Sequence, residues 1–298
     1  MVNLGYACIN TELQEQGIFT GRGMIRRTFD AKGLPYVSEL AIQNVRDLIE
    51  IIKWNHSKGI KVYRMSSRIF PWDSEYEFKD LPDYKKICTL LRGAGNLAKK
   101  YGQRLSFHPA QFCVLASPNE SVVDSTLIEL NRAGQIMDMM GLPQSPAAKI
   151  NIHVGGAYGD KKSSLERFCK NFKRLLPCTA KRLTVENDDK ANMYSVKDLY
   201  EGVHKVIGIP IVFDYHHHKF CTGDMTEQQA LKLALSTWPK GIRPCTHYSE
   251  SRAKEKLDES IKPQAHSDYI LEKPKDYGWD FDCVVEAKAK EKTLLKFF

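Results

Sequence analysis

The sequence predicts an α/β chain of the (β/α)8, or TIM-barrel, class, folding as a single domain over residues 1–298, and three observations predict it. Eight strand-like segments alternate with helical ones along the whole chain. No Pro/Gly/Ser-rich linker divides them. The strand-like segments repeatedly end in acids and imidazoles, and only a closed ring brings all eight carboxyl ends to one pocket. A doubly wound open sheet is the runner-up, and the third observation weighs against it.

The elements follow in order. Val2 to Tyr6 is a short strand. Ala41, Val45, Leu48, Ile49 and Ile52 fall at helical spacing within Ser38 to Ser57, with Ser38 placed to cap the helix and Lys58-Gly59 closing it. Ile60 to Arg64 is the second strand. Asp83 to Tyr101 is helical and ends at Gly102, before a third strand from Arg104 to Phe107. Asn119 to Met140 is helical up to Gly141, and Lys149 to His153 is the fourth strand. Ser163 to Leu176 is helical, stopped by Pro177, and Arg182 to Glu186 is the fifth strand. Ser195 with Asp198 opens a helix, Ile209 to Asp214 is the sixth strand, and Thr226 with Gln229 forms a capping box. Arg243 to His247 is a weaker strand, interrupted by Pro244 and Cys245. Phe281 to Glu286 is the eighth, followed by a basic helical tail around Lys288, Lys290, Lys292 and Lys296.

A hydrophobic content of 42% with 27% charged residues is that of a globular protein without disordered bias. No apolar run approaches the roughly 18 residues of a membrane span, and the first residues lack a signal-peptide pattern. The expected location is therefore intracellular, cytoplasmic or nucleus-associated. The eight cysteines are scattered without a Cys-x-x-Cys pair and read as reduced, packed thiols. A formal charge of +8 permits a polyanionic partner without requiring one.

The residues at the strand ends are Tyr6, Arg64, His108, His153, Glu186, Asp214, His247 and Glu286, and six of these eight are metal-ligand types. Asp214 opens the run Asp214-Tyr215-His216-His217-His218, four candidate donors in five residues. Carboxylate and imidazole sets without a thiolate cluster suit Mn²⁺ or Zn²⁺. More than four ligands exceed the needs of one tetrahedral ion, so two or three ions sharing carboxylates are expected. Such a cluster suits phosphodiester hydrolysis, in which one ion activates water and another stabilises the leaving oxygen. A metal-dependent sugar isomerase on the same barrel uses the same ligand types, and fold and ligands alone leave both open.

The motifs narrow the choice. They comprise Gly5-Tyr6 with Asn10, Tyr63-Arg64-Met65-Ser66-Ser67, and Arg104-Leu105-Ser106-Phe107-His108-Pro109 with Gln111. Further along come His153-Val154-Gly155-Gly156-Ala157-Tyr158-Gly159 with Lys161, then Glu186-Asn187-Asp188, and Asp214 with His217-His218. Ala265-His266-Ser267-Asp268-Tyr269 and Val285-Glu286-Ala287-Lys288 with Lys290-Glu291 complete the set. In this order and spacing they resemble the UV damage endonuclease family over almost the whole chain. The resemblance implies a barrel enzyme that nicks duplex DNA immediately 5′ to UV photoproducts, pyrimidine dimers and 6-4 photoproducts with abasic sites as a further class, leaving a 3′ hydroxyl. It implies no ATP or other nucleotide cofactor, no membrane, and a monomer acting on damaged double-stranded DNA. The implied cofactors are two to three divalent ions, Mn²⁺ first, with Zn²⁺ or Mg²⁺ as alternatives.

Carried over by motif, one ion takes His108, His153 and Glu186, a second takes Glu186, Asp214, His247 and Glu286, and a third takes His217 and His266, with Glu186 bridging. Glu186, His108 and Lys288 are the expected catalytic residues, Lys288, two residues beyond Glu286, as a nearby cation that orients a phosphate. Gln111 and Phe112 are the implied lesion probes. Tyr6 and Asn10 match lesion-contacting positions, and Arg68 and Tyr158 are expected on the DNA face. Phe112 stands where relatives can carry Tyr, Arg68 where they carry Ser or His, and Cys245 where they have a lysine near the metals. Cys245 is expected either to ligate a metal as a thiolate or to be a packed residue that does without the lysine's role, the second being preferred.

Gly155 to Gly159 with Lys161 and Lys162 is expected either to cradle a phosphate or to form a plain turn. Arg22, Arg26 and Arg27 are expected to meet DNA phosphates, Trp72 to be core, and His56 and His204 to be structural. A non-catalytic damage-binding protein is a third reading, and the intact ligand set speaks against it.

Overall fold

The computed structural model describes residues 1–297, so the last residue of the expected domain, Phe298, lies outside the described residues. Eight strands are present: β1 (Val2–Ala7), β2 (Val62–Arg64), β3 (Arg104–Ser106), β4 (Ile150–Ile152), β5 (Leu183–Glu186), β6 (Ile211–Val212), β7 (Cys245–Tyr248) and β8 (Phe281–Val285). They pair in parallel as two sheets, β3-β2-β1-β8-β7 and β4-β5-β6. Single parallel bridges cross both seams, Phe107 to Ile150 and Asp214 to His247. The eight carboxyl ends therefore face one side of an α/β, barrel-like fold. Strands of two to six residues buried almost throughout are what a parallel sheet covered by helices requires.

Between β1 and β2 lie α1 (Thr11–Glu15) and α2 (Arg26–Ser57); α3 (Tyr84–Lys100) precedes β3 and α4 (Glu120–Met140) precedes β4. α2 begins twelve residues before the expected start. Gly33, at φ 58° and ψ −157°, breaks it, and Pro35 then enters the first turn of the longer segment. Ser38 consequently caps nothing on its own helix. Its hydroxyl accepts the Asp83 N–H at 3.1 Å and ties α2 to the start of α3. α4 has a sharper beginning and end: the Asn119 side chain accepts the Ser121 N–H, and Gly141 closes the helix at φ 73°. A Cβ on Gly95 of α3 would collide with the Met140 carbonyl, so only glycine lets these two helices meet there.

α5 (Lys161–Phe172) is capped by Asp160 and, with the short α6 (Pro177–Ala180), leads to β5. α7 (Val196–Leu199) opens with the expected Ser195/Asp198 capping box and runs through a π-helical turn, Tyr200–His204, into α8 (Lys205–Ile207). After β6 come α9 (Tyr215–His218), capped by the Asp214 carboxylate, and α10 (Glu227–Ser236), with the expected Thr226/Gln229 capping box. The last two units depart from a full set. Only α11 (Arg252–Lys256) separates β7 from β8, and the expected basic helix after β8 is a pair of 3-10 turns, Lys290–Thr293 and Leu295–Phe297. No helix among the described residues is long and apolar enough to cross a membrane.

Candidate metal centre

The end of β5 places Glu186 in the middle of the strand-end cluster, 1% exposed. His108 Nε2 lies 3.3 Å from Glu186 Oε2, His153 Nε2 3.9 Å and His247 Nδ1 3.0 Å, while His217 Nδ1 lies 3.5 Å from Oε1. His247 Nδ1 also approaches Glu286 Oε1 at 3.2 Å. Three sets of donors converge closely enough to hold an ion: His108, His153 and Glu186; Glu186, Asp214 and His217; Glu186, His247 and Glu286. Glu186 belongs to all three, so it can bridge them.

The donors are turned toward these sites by their neighbours. His108, His217 and His266 each place Nδ1 2.9–3.0 Å from a backbone carbonyl, of Pro109, Asn187 and Glu286 respectively. That contact makes Nδ1 the donor and leaves Nε2 with the free lone pair, the usual state of a ligating imidazole. His153 has Asp188 Oδ1 at 3.1 Å behind it. Asp214 Oδ1 accepts the His217 N–H, whereas its Oδ2 is buried without a partner. Nδ1 of His247, despite its short distances to two carboxylates, makes no aligned hydrogen bond. Unpartnered buried donor atoms aimed into a ring of carboxylates and imidazoles fit divalent cations.

The charges are strongly interdependent. Burial opposes ionisation of Glu186, yet His247, His153 and His108 hold its carboxyl well below the ordinary range. Glu286 is likewise depressed against burial, chiefly by the partly buried Arg64 guanidinium that pairs with it. Burial lowers His108, while for His153 the Glu186 and Asp188 carboxylates outweigh burial and raise it to about 10. Lys149 is fully buried with Nζ 3.0 Å from His247 Nε2, and burial brings its ammonium down to about 8.

Several expectations change. His217 falls in one donor set with Asp214 and Glu186; its ring centroid lies 6.2 Å from that of His266, which is 3.7 Å from Glu286 Oε2 and belongs to none of the three sets. Asp214 is accordingly not grouped with His247 and Glu286. Tyr6 and Asn10 are 0% and 1% exposed and bonded to each other, the Tyr6 hydroxyl also donating to Asn55 at 2.7 Å and the Asn10 side chain capping α1. Neither offers a surface to a base. Arg22 is bound to Asp47 and to two backbone carbonyls, and Arg26 pairs with Asp30 and Glu75, which leaves Arg27 as the exposed member of that trio without an ion pair. Cys245 is 1% exposed, its thiol pushed up by burial, and lies outside the donor sets as a packed residue.

Gln111, Phe112, Arg68 and Lys288 are exposed, and Tyr158 is half exposed at φ 49°. Trp72 donates to the Met24 carbonyl and packs on the core. His56 stacks on Tyr101 and His204 contacts the Ile209 carbonyl, both structural.

Four supporting residues escaped the strand-end reading: Lys149, Asn151, Asp188 and Arg64 in its pairing role. Asn151 donates to Glu186 Oε2 and is held in turn by the Thr184 hydroxyl at 2.8 Å. Lys149, Asn151 and His153 sit two residues apart, so period-two alternation along β4 puts them on one face. That alternation was the signal available.

A family model described as UV-endonuclease UvdE matches residues 2–298. The UV-damage endonuclease of Schizosaccharomyces pombe is 37% identical over 303 residues, covering 98% of this chain and 49% of its own length. A putative UV-damage endonuclease of Acanthamoeba polyphaga mimivirus is 33% identical, covering 100% of this chain and 91% of its own. The chain thus spans about half the length of the yeast relative. The crystal structure of SacUVDE superimposes with a TM-score of 0.85 at 30% identity, covering 99% of this chain and 96% of that one. Endonuclease IV from Thermus thermophilus (TM-score 0.58, 12% identity, 84% of this chain and 92% of that one) and a D-psicose 3-epimerase from Clostridium cellulolyticum (0.54, 12%, 80% and 78%) share the fold alone. With the family model matching from Val2 to the last residue, the chain belongs to the UvdE family of UV endonucleases.

Proposed function

We propose that the chain is a metal-dependent DNA repair endonuclease that nicks duplex DNA immediately 5′ to UV photoproducts, working as a monomer without a nucleotide cofactor. The carrying observation is the convergence of three donor sets on one buried carboxylate, Glu186, at the mouth of a barrel-like fold. We read the eight strands as one closed (β/α)8 barrel and a single domain. His108 and His153, Asp214 and His217, and His247 and Glu286 would hold two to three divalent ions, Mn²⁺ first, about Glu186. Such ions supply a water acidified to near neutral pH and a positive field for the leaving oxygen.

The chain's own residues do the positioning. Asn151 and Thr184 fix the Glu186 carboxylate, while Asp188, Asn187 and the backbone carbonyls fix the imidazoles, so the donors need no reorganisation when substrate arrives. Arg64 neutralises Glu286 from behind. Lys288, exposed beside Glu286 and His266, orients a backbone phosphate. Arg68 and Tyr158 flank the duplex, and Gln111 and Phe112 enter it at the lesion.

The test is an end-labelled duplex with one cyclobutane pyrimidine dimer, incubated with Mn²⁺ beside undamaged and chelator-treated controls. A metal-dependent nick directly 5′ to the dimer is expected. Intact damaged strand with Mn²⁺, Zn²⁺ and Mg²⁺ each supplied, together with turnover of a free ketose, would favour the isomerase reading.

A further inference from the structure

The segment that follows His108 shows an unusual division of exposure. Phe112 is 76% exposed, whereas Cys113, Leu115 and Ala116 are 4%, 0% and 0%. An isolated exposed phenylalanine needs no explanation on a protein surface. Its mounting does. Ala110 N–H donates to Glu129 Oε1 at 3.1 Å, and Val114 N–H donates to Thr126 Oγ1 at 3.0 Å. Glu129 and Thr126 stand three residues apart on α4 and so share one face. The Thr126 hydroxyl is itself oriented by donating to the Val122 carbonyl at 2.8 Å, and Cys113 N–H closes the turn onto the Ala110 carbonyl at 2.9 Å. The Phe112 ring therefore stands at the apex of a turn whose backbone is gripped on both sides by side chains of a rigid helix.

The clamp continues along α4. One turn on, Arg132 is 7% exposed and donates to the Asp73 and Tyr76 carbonyls and to the Glu77 carboxylate. The loop after β2 and the loop after β3 are thus fastened to the same helix, with a cleft of about 740 Å³ between them, lined by Arg68, Trp72, Pro109 and Ala110. Two rim loops that would otherwise move independently share one support.

We propose that Thr126 and Glu129 are positioning residues for lesion recognition, holding Gln111 and Phe112 in the conformation that enters a weakly stacked step of a DNA duplex. This rests on the reading of Gln111 and Phe112 as the inserting pair. Entry of a side chain between bases costs unstacking, which is least where damage has already disrupted the stack. Intact DNA, whose stack resists entry, binds without insertion, so the cost of ordering a loosened loop falls on the damaged complex alone and narrows the difference between the two duplexes. A loosened loop binds both duplexes less selectively.

The experiment uses the metal-loaded full chain and compares KM for a duplex carrying one pyrimidine dimer with the inhibition constant of the matched undamaged duplex. In Thr126→Val/Glu129→Ala, which lacks both acceptors, the ratio of the inhibition constant to KM is expected to fall on the order of tenfold, with metal content per chain unchanged. Thr126→Ser/Glu129→Gln keeps an acceptor at each position and is expected to retain the ratio. Thr126→Val alone, nearly isosteric, covers the case in which the double variant does not fold, and is expected to lower the ratio by a smaller factor. An unchanged ratio in the acceptor-less variants, with Phe112→Ala losing discrimination, would overturn the clamp but leave the inserting pair standing. Full discrimination in Phe112→Ala would overturn the inserting pair and the clamp together.

Discussion

A carboxylate buried as deeply as Glu186 keeps its charge because imidazoles surround it, and Glu186→Gln keeps the shape while removing that charge. Nicking by Glu186→Gln should fall at least about 10³-fold, with a much smaller loss of damaged-DNA binding; nicking at the normal rate would remove Glu186 from the centre. Lys149 is a quieter case, since it touches the cluster only through His247. Supporting contacts of this kind typically govern metal affinity, so Lys149→Met should weaken binding of the ion shared by His247 and Glu286 about 10–100-fold, read by calorimetric Mn²⁺ titration. Asp73 supplies a test remote from the metals. Burial, reinforced by the Glu129 charge and opposed by Arg132, raises its carboxyl from 3.8 to about 7. Between those values the unfolded chain releases a proton that the folded chain retains, so stability falls as pH rises through the window. Asp73→Asn should therefore be more stable than the parent at about pH 8, on the order of 1–3 kcal/mol, and indistinguishable below about pH 3.5. Denaturant titrations at both pH values check this, and a difference independent of pH contradicts it. At this scale the ligand types were legible because acids and imidazoles at strand ends are unusual. The grouping of Asp214 with His217 was not, since it depends on the turn of α9, where the Asp214 cap fixes His217.

At the scale of elements, the interior buttress of α4 is Arg182 at the start of β5, which is 0% exposed. Its guanidinium donates to the carbonyls of Gly134, Leu142, Pro143 and Cys178 and pairs with Asp138 at 2.7 Å. This one side chain joins β5 to the end of the helix that carries the Thr126/Glu129 clamp. Arg182→Met should cost about 2–4 kcal/mol, because several buried acceptors lose their donor together; a thermal melt within a degree of the parent would contradict that role. The strands were legible in order because each short apolar run is bounded by turn residues, and the capping boxes at Ser195 and Thr226 survive unchanged. The start of α2 was not legible: the apolar spacing places the helix from Ser38, whereas it begins at Arg26 and resumes after the break at Gly33. Nor was the loss of the last helix. Lys290 takes a left-handed conformation, φ 52°, and the buried Glu291 accepts from the Thr11 hydroxyl and the Glu12 N–H, so the tail docks on α1 in 3-10 turns.

For the whole molecule, two features organise the rest: parallel strands whose carboxyl ends share one side, and the single acid shared by three donor sets at their mouth. The parallel α/β, barrel-like arrangement was predictable from the alternation, whereas its division into two sheets, joined by one bridge each where β3 meets β4 and β6 meets β7, was not. Ion-pairing removed part of the expected DNA face, since Arg22 and Arg26 are engaged within the protein and only their pairing geometry reveals it. Replacing Arg27 should then lower the salt dependence of DNA binding by about one counterion's worth, whereas replacing Arg22 should act mainly through stability. The most direct test of the account is the number of Mn²⁺ ions per chain at saturation, by elemental analysis of desalted protein, in the parent and in Glu186→Gln, each with its melting temperature. The account predicts two to three ions in the parent and at most one in the folded variant, because a shared ligand is lost from every group. A parent that holds no more than one ion, or a variant that retains the parent's full count, would contradict it.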